Sequence, residues 1–81
     1  MEKEIEYGKY KYWVKIEPAI HDVTKEKGYI AYVSDEKPGT LLWGNSVKDH
    51  LGRVMFFKDV LTALTNANNI KQSEIDSKQG N

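Results

Sequence analysis

Residues 9–16 read Lys-Tyr-Lys-Tyr-Trp-Val-Lys-Ile, a strict two-residue alternation that narrows the folds open to this chain more than any other feature. Successive side chains of a β-strand point to opposite faces of the sheet. Tyr10, Tyr12, Val14 and Ile16 therefore share one face, and Lys9, Lys11, Trp13 and Lys15 share the other. The first set can close a hydrophobic core. The second puts a large indole among three ammonium groups, away from that core. The pattern implies a small sheet with one covered face and one face fit for a partner.

At 81 residues the chain has room for one domain. So small a domain buries a modest share of its surface, and its stability is expected at about 4–12 kcal/mol. The sequence contains no cysteine, which excludes disulfides and thiolate metal sites and suits a reducing cytoplasm. No apolar run approaches the roughly 18 residues needed to span a bilayer, and Met1-Glu2-Lys3-Glu4 lacks a signal-peptide core. These features suggest a cytoplasmic protein with no membrane association. Twelve basic and twelve acidic residues cancel, so no global field draws in nucleic acid. A net charge near zero is also compatible with a homodimer.

After a charged entry, the first strand is expected from about Tyr7 to Glu17, stopping at Pro18, which has no N–H for a ladder. His21 to Lys27 reads as a hairpin connection closed by Gly28. Tyr29–Val33 makes a second strand, and Asp35-Glu36-Lys37-Pro38-Gly39 carries turn chemistry. Thr40–Trp43 makes a third strand, broken at Gly44. Short connections between neighbouring strands imply a β-meander. From Ser46 the period changes: Val47, Leu51, Val54, Phe57, Leu61, Leu64 and Asn68 recur at spacings of three and four, the mark of an amphipathic helix. Ser46 serves as its N-cap, with Asp49 three residues on. Gly52 interrupts this pattern. It either separates a first turn from a main helix over Lys58–Asn68 or frees Arg53–Phe57 to form a fourth strand. The polar stretch after residue 70 reads as a disordered tail.

The fold expected is therefore α+β: a three- or four-stranded antiparallel sheet packed on one face by a C-terminal helix, with residues 1–70 as one domain and 71–81 as tail. Tyr12, Val14, Ile16, Ile30, Leu42, Leu61 and Leu64 form the expected core, flanked by Tyr10 and Phe57.

Two functional readings follow from the outward face. In the first, Lys11, Trp13, Lys15, Trp43 and Arg53 bind a protein partner, because the sheet is rich in aromatic rings of the kind found at interface hot spots. In the second, Lys9, Lys11, Trp13 and Lys15 bind single-stranded nucleic acid, with bases stacked on the indole and phosphates on the ammonium groups. Three phosphate contacts make affinity fall by only about 40-fold between 50 and 200 mM salt, too little to specify a nucleic-acid site alone. Burying the indole against protein is worth about 4–6 kcal/mol, which favours the first reading.

No catalytic centre is expected. His21-Asp22 and Asp49-His50 are sequence neighbours whose side chains diverge on a strand or helix, so neither pair is a ready chelate, and no metal or cofactor is called for. Ser34, Ser46, Ser73 and Ser77 are explained by turns, capping and tail, with no nucleophile elbow among them. Gly39, Gly44 and Gly52 are too scattered to cradle a phosphate.

The stretch from Gly28 to Asp49 resembles the central part of HicB-type antitoxin domains. Gly28 and Tyr29 open a strand, Asp35, Pro38 and Gly39 form a turn, and Gly44, Ser46 and Asp49 match a helix start. Tyr12–Glu17 is similar to that family's first strand. The resemblance implies a βββα(β) fold that masks a small toxin ribonuclease, an inhibitor rather than an enzyme.

Overall fold

The alternation of residues 9–16 is realised in an interior strand of a four-stranded sheet. The computed structural model describes residues 1–39 and 43–79. Strands β1 (Glu2–Tyr7), β2 (Tyr10–Ile20), β3 (Lys27–Ser34) and β4 (Asn45–Ser46) form one antiparallel sheet in that order, followed by helix α1 (Val60–Gln79). The result is the expected β-meander packed by a single C-terminal helix.

The strand boundaries differ from the sequence reading for local reasons. The charged entry is itself a strand: β1 pairs with β2 from Glu2 opposite Lys15 to Tyr7 opposite Tyr10, closed by the turn Gly8-Lys9. Lys9 therefore lies in a turn and is not part of the outward row of β2. Strand β2 also runs through Pro18 to Ile20. Ile16 directs its N–H towards β1, donating to the Met1 carbonyl at 2.7 Å. Pro18 has the same parity, two residues beyond the point where that pairing stops, so its missing N–H leaves no ladder bond unmade. Of the expected third strand, residues 40–42 lie outside the described residues, Trp43 is not in a strand, and β4 is the pair Asn45–Ser46. Gly44 is required there by close approach, since a Cβ would sit 1.9 Å from the Val33 carbonyl oxygen.

The helix starts later and ends later than its apolar spacing suggests. Residues 47–57 are not helical. Val47 donates to the Ala31 carbonyl at 2.8 Å, and Tyr29 and Phe57 exchange two backbone bonds of 2.9 Å, so this segment follows the outer edge of β3. Gly52 (φ 82°) turns the intervening loop, which Asp49 holds by accepting the Leu51 and Arg53 amides. Val47 and Phe57 reach the core from this edge, whereas Leu51 and Val54 are exposed. Neither a helix from Ser46 nor a strand over Arg53–Phe57 forms; Val54 and Phe57 make isolated bridges only. The N-cap is Asp59, whose carboxylate accepts the Thr62 amide at 2.7 Å and is held below its ordinary pKa by that bond.

One face of the sheet receives α1. Cross-strand pairing places Tyr12, Val14 and Ile16 on the same side as Ala31 and Val33. Tyr12, Val14, Ile16 and Ala31 are buried together with Ala63, Ala67 and Ile75 of the helix. The small side chains of Ala31, Ala63 and Ala67, all fully buried, let the helix approach β2 and β3 closely. Three core expectations change, and a fourth falls on a residue that is not described. Ile30 falls on the opposite face, opposite Glu17. Leu61 points to solvent at 73 % exposure, Tyr10 is exposed, and Leu42 lies outside the described residues.

The stretch expected as a disordered tail is helical through Gln79, because its inward positions are satisfied by specific partners. Ala67, Lys71 and Ile75 follow at four-residue spacing on the buried side. The buried Tyr12 hydroxyl donates to Asn68 Oδ1 at 2.6 Å and accepts from Gln72 Nε2 at 3.2 Å. Tyr7 donates to Asp76 at 2.9 Å. The Lys71 ammonium, 4 % exposed as a residue, donates to Asp35 and to Glu74. Burial pulls its pKa down, but the bonds to Asp35 and Glu74 outweigh burial and leave it above the ordinary value. The Asp35 carboxyl is held below its ordinary value by the bond from Lys71.

Ile75→Ala should therefore destabilise the fold by about 2–5 kcal/mol in urea unfolding. Leu61→Ala should change it by less than about 0.5 kcal/mol. The Asp35–Lys71 pair sets a pH dependence of known sign. The Asp35 contribution is complete above pH 3.8 and is lost as pH falls through its lowered folded-state value. The Lys71 contribution is complete below pH 10.5 and is lost as pH rises through its raised value. Urea midpoints should drop on acidification below pH 3.8, and Asp35→Asn should flatten that drop.

Candidate functional site

Because the even residues of β2 face the helix, its odd residues face away from it. Trp13 lies on this open face between Glu4 of β1 and Ser34 of β3, and Lys15 lies between Glu2 and Tyr32. Lys11 stands opposite Glu6, and Glu17 opposite Ile30. Each strand thus delivers alternate side chains to one surface in a fixed register.

The segment after β3 reaches back over this face. The Trp43 indole N–H donates to Glu2 Oε1 at 2.9 Å, across two strands. Lys15 Nζ sits 5.6 Å from the Trp43 ring centroid, within cation–π range, and 2.5 Å from Glu17 Oε1. That bond to Glu17 is the main reason the Lys15 pKa is raised, so its ammonium stays charged at neutral pH. With Glu4, Lys3, Lys37, Pro38 and Gly39, these residues line a groove of about 490 Å³. Both indoles are half-buried, and the Trp13 N–H makes no hydrogen bond among the described residues.

The structure brings three of the five expected partner-binding residues, Trp13, Lys15 and Trp43, into one groove. Lys11 is on the same face but outside the groove, with its ammonium 3.9 Å from Glu4 and 4.0 Å from Glu6. Arg53 belongs to the loop at the far edge of the sheet, where its Nε donates to Asp49 Oδ2 at 3.1 Å. Lys9 is at the turn between β1 and β2. Sequence reasoning missed Glu2 and Glu4, although Glu2, Glu4 and Glu6 alternate with Lys3, Ile5 and Tyr7 on the same two-residue period.

The surface is therefore mixed in charge. Carboxylates of β1 lie beside ammonium groups of β2, with two indoles among the charges and Tyr32 beyond Lys15 on β3. Such an arrangement can supply flat apolar contact, a free indole N–H donor and ionic groups of both signs.

The two His–Asp pairs do not join this surface. His21 Nδ1 accepts the Val23 and Thr24 amides at 3.1 and 3.2 Å, which folds the β2–β3 hairpin, and its ring packs 4.9 Å from that of Phe56. The Asp49 carboxyl organises its own loop and is held below its ordinary pKa, chiefly by the Arg53 amide. Among the described residues no group of three or more His, Cys, Asp or Glu is placed to hold a metal ion, and no helix is long and apolar enough to cross a membrane.

No protein-family model, curated protein or solved structure matches the chain.

The tethers on Trp43 are open to direct measurement. In a Trp13→Phe background, where Trp43 is the sole indole, Glu2→Ala and Lys15→Ala should each increase acrylamide quenching of its fluorescence. Lys9→Ala, altering only the turn, should leave quenching unchanged.

Proposed function

We propose that this protein is a small non-catalytic binding module that inhibits or regulates a protein partner through the open face of its sheet. The observation that carries the reading is the pair of half-buried indoles, Trp13 and Trp43, held beside Lys15, Glu2 and Glu4 in one groove. Aromatic side chains ringed by polar groups provide most of the binding energy at protein interfaces. The mixed charge supports a polypeptide partner over nucleic acid. Three glutamates of β1 share the face on which the lysines of β2 would have to meet phosphates, and they repel them. The likeness of residues 12–17 and 28–49 to HicB-type antitoxin domains favours a small toxin protein as the class of partner. The helix start that this likeness implies at Ser46 is not realised, so the partner class rests on the strands and the turn.

The test is stoichiometric capture by tagged wild-type protein from its native cell extract, set beside titration with labelled single-stranded oligonucleotides at two salt concentrations. One protein should be retained, and Trp13→Ala or Trp43→Ala should weaken its binding by at least about 30-fold, the effect of removing a hot-spot aromatic. Lys9→Ala should have no effect. Micromolar oligonucleotide binding that collapses with salt and disappears in Trp13→Ala would overturn the proposal in favour of a nucleic-acid binder.

A further inference from the structure

We propose that the outer edge of β1 receives a strand from the partner protein, one that carries Lys or Arg at alternate positions. The inference rests on the proposed protein-binding role and names the element by which the partner docks.

Backbone geometry comes first. Met1 and Ile16 exchange both of their backbone bonds, the Ile16 N–H donating at 2.7 Å and the Met1 ammonium at 2.9 Å. In an antiparallel ladder such exchanges recur at every second residue. Lys3, Ile5 and Tyr7 therefore turn their amides and carbonyls towards β2, while Glu2, Glu4 and Glu6 turn theirs outward. Among the described residues no strand pairs with this edge. It offers three N–H and C=O pairs in register, the template that strand addition uses.

Charge then selects the occupant. Among the described residues, those whose backbone groups are unpaired on this edge are the same three that carry carboxylates onto the open face. A strand added antiparallel sets its own side chains directly opposite them on that face. Across the existing sheet, Lys15 and Lys11 of β2 already stand opposite Glu2 and Glu6 of β1. Cations on the incoming strand would continue this alternation of sign by one more row. A second copy of this chain fits poorly. Self-pairing that keeps the two faces aligned sets residues of equal parity together, so Glu4 would oppose Glu4 while Glu2 opposes Glu6, and a two-residue shift would oppose Glu2 to Glu4 or Glu4 to Glu6. Like charges directly opposite destabilise a pair, and the glutamates thus also guard the edge against self-association.

The experiment uses the full chain and two synthetic heptapeptides, Lys-Thr-Lys-Val-Lys-Thr-Lys and its counterpart with Glu in place of every Lys. The lysine peptide should shift the backbone amide resonances of Glu2, Glu4 and Glu6 and slow their hydrogen exchange, leaving the α1 amides unmoved. The glutamate peptide should do neither. A triple variant, Glu2→Gln with Glu4→Gln and Glu6→Gln, should bind the lysine peptide at least about 3-fold more weakly, from the range expected for opposed charge pairs. Equal binding of the two peptides, perturbation confined to another part of the sheet, or no binding would overturn the inference. Failure here with continued Trp43-dependent capture of a protein would remove the strand-addition inference alone. Loss of both would remove the binding role as well.

Discussion

Everything in this fold depends on the alternation of β2, because β2 is the strand shared between β1 and β3 and the one that supplies the largest fully buried side chains, Tyr12, Ile16 and Val14. Its even residues, Tyr12, Val14 and Ile16, are buried against α1, and its odd residues are thereby fixed on the other side. A slip of one residue would move Trp13 and two lysines into the core and Tyr12 and Val14 into water, so the hydrophobic requirement of one face determines the composition of the other. β1 and β3 inherit the same parity through pairing. The outward glutamates of β1, the outward Ile30 and Tyr32 of β3 and the buried Ala31 are consequences of where β2 puts its tyrosine, valine and isoleucine.

The helix is docked by two different kinds of contact along its length. Its first half packs as an apolar element, with Ala63 and Ala67 against the sheet and Val60 and Leu64 beside them. Its second half is polar in composition, and hydrogen bonds and one buried ammonium hold it down. Tyr7, Tyr12 and Asp35 reach from the β1–β3 region to Asp76, to Asn68 and Gln72, and to Lys71, while Ile75 supplies the remaining apolar anchor. Buried polar groups of this kind are tolerated only when they are satisfied, and no buried side-chain nitrogen or oxygen among the described residues lacks a partner. Satisfied polar contacts across a small interface also fix the helix in one register, because a shift by a residue would leave Tyr12 and Lys71 unpaired.

The division between what the sequence disclosed and what it concealed follows the same physics. Strand periodicity in a half-buried sheet is a local signal, so the face of Trp13 and three core residues were readable from residues 9–16, and the meander from the turn residues and short connections between the expected strands. Long-range satisfaction is not a local signal. Lys71, Gln72 and Asp76 look like a solvated tail until Asp35, Tyr12 and Tyr7 are brought opposite them. Residues 47–57 misled for the complementary reason. Val47 and Phe57 are both buried, and their spacing suits a helix, but each reaches the core from the edge of β3 while Gly52 turns the chain between them. Ile30 and Ala31 show the limit of hydrophobicity as a guide. The smaller residue has the inward parity, and its size suits the close passage of α1. In the site, Trp13 and Lys15 were legible from alternation alone. Their neighbours Glu2 and Glu4 required the pairing of β1, and the approach of Trp43 required the long connection between β3 and β4.

The account predicts one spatial relation above the others: the Trp13 indole lies on the face opposite the helix. Nuclear Overhauser contacts from the Trp13 ring protons measure this directly. They should run to the side chains of Glu4 and Ser34, its neighbours across β1 and β3, with none to the methyl groups of Ala63 and Ala67. Contacts from the indole to Ala67 or Asn68 would put Trp13 beneath the helix and contradict both the parity of β2 and the binding face built on it.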